Sequence, residues 1–145
     1  MKKIIITAVL AVAMAAGAFA APKKVNAAIL ANFETEFKMA SNVTWIVTHD
    51  YTKAAFTAGN TNMEVYYSSA GEIIGKSRSI TLDELPVNAK RIFAKKFAGY
   101  EAKEAIRFDG FDEAAYYISG ENKKESVIIK VTDSNEVSLF KKTKK

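Results

Sequence analysis

Met63-Glu-Val-Tyr-Tyr-Ser-Ser-Ala-Gly-Glu-Ile73 and Val127-Ile-Ile-Lys-Val-Thr-Asp-Ser-Asn-Glu-Val137 decide how this chain is read. Each is an alternating run, a short turn and the start of a second run. Met63, Val65, Tyr67 and Ile73 correspond to Val127, Ile129, Val131 and Val137 at an offset of 64. Upstream the offset is 60. Phe33 and Phe37 match Phe93 and Phe97, and Tyr51, Ala54, Ala55 and Phe56 match Phe111, Ala114, Ala115 and Tyr116. An offset that changes once, by four residues at a hairpin, indicates one unit of about sixty residues written twice.

Each unit opens with a helix. Val25, Ile29, Phe33 and Phe37 recur every four residues and form one apolar stripe, and Pro22 suits its start. In the second unit Thr81-Leu-Asp-Glu84 has the pattern of a capping box, and Pro86 suits a first helical turn. Ala89, Phe93 and Phe97 continue that stripe to a stop at Gly99.

Four strands follow each helix: 42–48, 51–58, 62–69 and 72–80, then 102–108, 112–119, 124–132 and 135–142. Turn residues separate them at Gly59-Asn60, Ala70-Gly71, Asp109-Gly110, Gly120-Glu121-Asn122 and Ser134-Asn135. Strands joined by short turns pair antiparallel. The expected fold is α+β, a tandem α-β4 repeat over about 22–80 and 81–142. It forms an eight-stranded antiparallel sheet with two helices packed on one face.

Strand side chains alternate between faces. Phe56, Met63, Val65, Tyr67, Ile73, Ile106, Phe108, Ala114, Tyr116, Ile118, Val127, Ile129, Val131, Val137 and Leu139 are expected under the helices. The opposite face mixes Lys53, Glu64, Tyr66, Ile74, Lys76, Arg78, Lys103, Arg107, Glu113, Tyr117, Ile128, Lys130, Phe140 and Lys142. Tyr and Arg dominate interface hot spots. Lys53, Tyr66, Lys76, Arg78, Arg107, Tyr117, Lys130 and Phe140 are therefore the candidate binding residues of an open face, joined by Asp50 and Tyr51 on a hairpin turn. Trp45 has two placements. A two-residue turn at His49-Asp50 pairs it with Ala54 in the core, beside Val43 and Val47. A three-residue turn, as expected at Asp109-Gly110-Phe111, aims it outward, because one residue of register reverses the face. The company of Val43 and Val47 favours the core.

The first twenty residues read as a cleavable export signal. Met1-Lys2-Lys3 is a positive start, Ile4 to Ala16 is apolar, and Ala18-Phe19-Ala20 is a cleavage pattern with the cut after Ala20. Thirteen apolar residues fall short of the ~20 that a spanning helix needs. No cysteine stands near the cut, so no lipid anchor is expected. The product is expected to be periplasmic or secreted, without a membrane span. Cleavage removes two of 21 basic residues, leaving 19 against 16 acids, a net +3. That is too weak for a nucleic-acid binder. With no cysteine, disulfides, thiol catalysis and cysteine-based metal sites are excluded.

Catalytic patterns are missing. His49, the only histidine, sits beside Asp50 on a turn, with no marked nucleophile. The acids at 109, 112, 113, 133 and 136 match no calcium loop. No phosphate-binding glycine loop is present. No enzyme activity, metal or cofactor is expected.

Asn42-Val-Thr-Trp45, Ala55-Phe56, Val65-Tyr-Tyr-Ser-Ser-Ala-Gly-Glu-Ile-Ile74 and Leu85-Pro86 before a helix ending at Phe97 resemble, in order and spacing, the PepSY-like family of exported bacterial proteins, which are described as β-lactamase-inhibitor-like. The resemblance spans most of 25–142. It implies the tandem α-β4 fold and a periplasmic location. β-lactamase inhibitory proteins bind through a concave sheet face and two hairpin turns, one carrying an Asp-Tyr pair. Asp50-Tyr51 stands in a similar position, although those inhibitors carry disulfides and this chain has no cysteine. The expected function is an exported, non-enzymatic protein-binding or inhibitor-like module. Its expected partner is an envelope protein with an acidic surface. The alternative is a binder or sensor of a small or polymeric anionic envelope ligand.

Overall fold

A computed structural model describes residues 24–145. The export signal and Pro22 lie outside the described residues. Eight strands form an antiparallel sheet in sequential order, accompanied by two helices, so the fold is α+β. The chain divides into two compact units, the first ending at Ser77 and the second beginning at Arg78.

In the first unit, α1 (Ala27–Glu36) precedes β1 (Ala40–Val47), β2 (Thr52–Ala58), β3 (Thr61–Tyr67) and β4 (Ile73–Ile80). Asn26 caps α1 by accepting the Ala28 amide at 2.8 Å, so Val25 lies outside the helix. Ile29 and Phe33 press onto Ala54, Phe56, Val65 and Tyr67. The β1–β2 turn is His49-Asp50, closed by the Thr48 amide on the Tyr51 carbonyl at 2.9 Å. It pairs Trp45 with Ala54 and sets the indole edge-on to Phe33 at 5.1 Å. Val43 is left more exposed, because β1 bulges between Ser41 and Thr44 with Asn42 at φ 54°. Tyr67 is fully buried, and its hydroxyl has no hydrogen-bond partner among the described residues.

In the second unit, the Thr81–Glu84 box closes a separate 3₁₀ turn, Leu82–Glu84, with the Glu84 carboxylate accepting the Thr81 amide at 2.7 Å. Helix α2 then runs Val87–Lys96 behind Pro86, which occupies the N-cap. Strands β5 (Glu101–Gly110), β6 (Ala114–Glu121), β7 (Glu125–Thr132) and β8 (Val137–Lys144) follow. Ala89 and Phe93 pack on Ala105, Ile118, Val127, Ile129 and Val131.

The expected face of β5 is reversed. Its turn is Phe111-Asp112, closed by the Gly110 amide on the Glu113 carbonyl at 2.7 Å, and not Asp109-Gly110-Phe111. The pairing moves by an odd number of residues, from Phe108 opposite Asp112 to Phe108 opposite Ala115, and sets Ala105 with Ile118 and Arg107 with Tyr116 on the helix side. Ile106 pairs with Tyr117 and Phe108 with Ala115, so both belong to the opposite face.

The shift in offset also lies earlier than the sequence suggested. Trp45, Ala54 and Val65 form one cross-strand row, and Ala105, Ile118 and Ile129 form its counterpart. The offset is 60 through β1 and 64 from β2 onward, so the four extra residues lengthen the β5–β6 hairpin. Ala54 corresponds to Ile118, not to Ala114, and Phe56 to Gly120, not to Tyr116. The β3–β4 and β7–β8 turns keep the offset of 64 in detail. Gly71 donates to the Ser68 carbonyl as Asn135 does to that of Thr132, and both have positive φ, 86° and 66°.

Candidate binding face

On the face away from α1, β2 and β3 set Lys53 opposite Tyr66, with Glu64 next along β3. Lys53 Nζ donates to Glu64 Oε1 at 2.9 Å, and the Tyr66 hydroxyl donates to Oε2 at 2.7 Å. Ser77 adds a longer contact at 3.4 Å. All four residues are buried. Tyr51 stands edge-on to Tyr66 at 5.4 Å. Burial, then the Glu64 carboxylate, drives the Tyr66 phenol far above its ordinary range, so it stays a hydrogen-bond donor.

The second unit repeats this chemistry with the roles exchanged. Tyr117 on β6 faces Lys130 on β7, where the first unit has Lys53 facing Tyr66. The carboxylate comes from Glu113, the residue that closes the turn of the long hairpin. Its Oε1 accepts the Tyr117 hydroxyl at 2.7 Å and its Oε2 pairs with Lys130 at 2.8 Å. Tyr117 is buried and meets Phe140 edge-on at 5.1 Å, while Glu113 and Lys130 remain partly exposed. Burial raises the Tyr117 phenol, and Glu113 adds to the rise. Burial alone would raise Glu113, but the hydrogen bonds from Lys130 and Tyr117 outweigh it and hold the carboxyl below its usual range.

The ten candidate residues therefore separate. Tyr51, Lys53 and Tyr66 come together in one cluster, and Tyr117, Lys130 and Phe140 in the other. Asp50 stands at an exposed turn, 3.3 Å from His49 Nδ1. Lys76, Arg78 and Arg107 leave the expected face. Lys76 bonds Glu36 of α1 and lies 5.3 Å over the Phe37 ring. Ile73 and Lys76 both face the helix, so alternation breaks around the buried Gly75. Arg78 pairs with Glu84 of the 3₁₀ turn at 3.4 Å. Arg107 lies 4.6 Å over Tyr116 and binds Asp109 and Asp133 at 2.8 and 2.5 Å. The hydrogen bond it donates to Asp133 leads the interactions that raise its pKa. Lys142 also moves to the helix side, opposite Val127 and paired with Glu125 at 2.9 Å.

Two features escaped the sequence reading. Alternation places Glu64 and Glu113 on this face but does not show that each anchors a cluster. Phe111, at the tip of the longer hairpin, is 91% exposed. The signal available in the sequence is an aromatic residue beside the turn-like Asp109-Gly110.

A cleft of about 180 Å³ lies between the start of α1 and the β1–β2 turn, lined by Lys24, Asn26, His49, Tyr51 and Ser69 among others. Among the described residues, no group of His, Cys, Asp and Glu has the makings of a metal site, and no helix is long and apolar enough to cross a membrane.

Solved structures share this architecture. A DUF2874 family protein from Bacteroides uniformis matches with a TM-score of 0.71 at 16% identity, over 83% of this chain and 90% of that one. A Bacteroides eggerthii protein, assigned to the periplasm by inference, matches with 0.73 at 16% identity, over 84% and 90%. A BLIP-like protein from Bacteroides fragilis matches with 0.65 at 12% identity, over 86% and 89%. No family model and no curated protein matches the chain. The fold is BLIP-like.

Proposed function

We propose that this protein is an exported, non-enzymatic protein-binding module, PepSY-like in kind, working in the periplasm after cleavage at Ala20. The observation that carries this reading is Phe111. A phenylalanine held almost wholly in water, on a hairpin four residues longer than its counterpart, is costly to the free protein and suits a partner's apolar pocket. The inhibitor-like neighbour supports the same reading by analogy of fold.

In this reading each unit docks by its own hairpin tip, the second through Phe111 and the first through Asp50-Tyr51. In the second unit Lys130 and Phe140 form a polar and aromatic margin over the buried Tyr117. In the first, the buried Lys53 and Tyr66 stiffen the strands behind the tip. Lys76, Arg78 and Arg107 take no part. The partner is an envelope protein with an apolar recess in an acidic surface, toward which the net positive charge steers the module.

Affinity capture from an envelope extract tests this. The wild type should retain a defined protein that Phe111→Ser and Asp50→Ala variants of unchanged melting temperature lose. Equal retention by all three would overturn it. The cleft beside Lys24 and the α1 N-terminus favours a second reading, a small anionic ligand. Its mark would be thermal stabilisation by such a ligand that fades with salt.

A further inference from the structure

The two outermost strands of the sheet are treated differently. β8 (VSLFKKTK) carries Lys141, Lys142 and Lys144, the charged side chains by which exposed edges avoid pairing with other chains. β1 (ASNVTWIV) carries no charge over its eight residues. Its Ile46 is 43% exposed and its Val43 37%, and Met39 just before it is more exposed still. The bulge at Asn42 interrupts only the first half of the strand. From Thr44 to Val47 the strand pairs regularly with β2 on one side, and among the described residues no strand lies on the other. A row of backbone donors and acceptors flanked by β-branched side chains is a template for one more strand.

We propose that the strand which completes this edge is β1 of a second copy of the chain, antiparallel across a twofold axis. The strand is neutral, so it can lie beside its own copy without repulsion, which the lysines of β8 forbid. Antiparallel pairing also brings the ends together with complementary charge. Lys38 precedes β1 and Asp50 follows it, so the positive end of each strand meets the acidic end of the other. The twofold arrangement uses the same surface on both copies and closes at two, whereas pairing of β1 with β8 would continue as a filament. Ile46 and Val43 then leave water against the opposing strand.

Sedimentation equilibrium on the exported protein, purified from expressing cells, tests this over a concentration series. The expected mass is that of two chains at high concentration. Thr44→Lys, which sets like charges at the centre of the new pair, should halve it. Leu139→Lys on the far edge should leave it unchanged. Backbone hydrogen exchange of the wild type gives a measurement free of any folding defect, since the Trp45–Val47 amides should slow as concentration rises. A single-chain mass throughout overturns the proposal, whether the edge stays bare, is covered by residues before 24, or takes a strand from another protein. Overturning it equally would be a dimer that survives Thr44→Lys with concentration-independent exchange at β1, or one that Leu139→Lys alone abolishes.

Discussion

The two units fill the same frame with opposite residues. Beneath α1, a large Trp45 stands beside a small Ala54; beneath α2, a small Ala105 stands beside a larger Ile118. Two residues further along β2 and β6, Phe56 meets the Phe33 ring at 5.1 Å, whereas Gly120 leaves room for Phe93. On the far face Lys53 and Tyr66 become Tyr117 and Lys130. The pair of residues across two strands carries the constraint of volume or charge, and the single position does not. Identity between the units can therefore fall away while helix-to-sheet spacing and the Lys-Glu-Tyr cluster survive.

The largest difference between the units should appear in their ion pairs. Lys53 and Glu64 are almost wholly buried, with side chains 4% and 7% exposed. Glu64→Leu leaves a buried ammonium without its partner and should cost about 3–5 kcal/mol in urea unfolding. Glu113→Leu strips a pair that is 21% and 38% exposed and should cost about 1 kcal/mol. Equal losses would break the contrast. Gly120→Ala comes next. A Cβ there would sit 2.8 Å from Phe93 Cζ, so overpacking should cost about 1–3 kcal/mol, with the loss reduced by Phe93→Leu in the same chain.

Alkali should reveal the buried phenols. The folded pKa of Tyr66 is raised above its unfolded value of 10.0, so its contribution is complete below that pH and fades as pH rises beyond it. Urea midpoints should fall above about pH 10, and Tyr66→Phe should flatten part of that fall. The smallest effect is expected from Tyr67, whose counterpart in the second unit is Val131. Burial, then Glu36, pushes its phenol up to about 12, and the hydroxyl is unpartnered. Tyr67→Phe should gain about 1 kcal/mol. A loss instead would reveal a bond to this hydroxyl.

Much of this frame was legible in the sequence. Four-residue spacing located both helices, and the turn residues placed every strand within two positions. The His49-Asp50 turn, read as two residues, put Trp45 against Ala54. The second unit misled for a physical reason. Asp109-Gly110 carries the chemistry of a turn, yet both residues belong to β5. A Cβ on Gly110 would come within 2.6 Å of the Phe108 ring, so the glycine answers a close approach and not a bend. Taking it as the turn sets Phe108 opposite Asp112 where it pairs with Ala115, an odd shift of register that exchanges Arg107 with Ile106 and Phe108. Lys76 was lost similarly. Alternation fails between Ile73 and Lys76, and only Gly75 hints at it. The two clusters were hidden because alternation reports a face, and contacts along a strand decide which charge meets which hydroxyl.

In the proposed function the lengthened hairpin is where the two units differ in purpose, and shortening it is the direct test. Removing Asp109, Gly110, Glu113 and Ala114 would join Phe108 and Ala115 through Phe111-Asp112, giving the second unit the hairpin length of the first. The tip then retracts by two residues per strand, about 7 Å. Capture of the envelope partner should be lost, while circular dichroism and cooperative unfolding persist. A variant that still captures it fully would contradict the role given to the extended tip, and one that no longer folds would show that these four residues serve the fold.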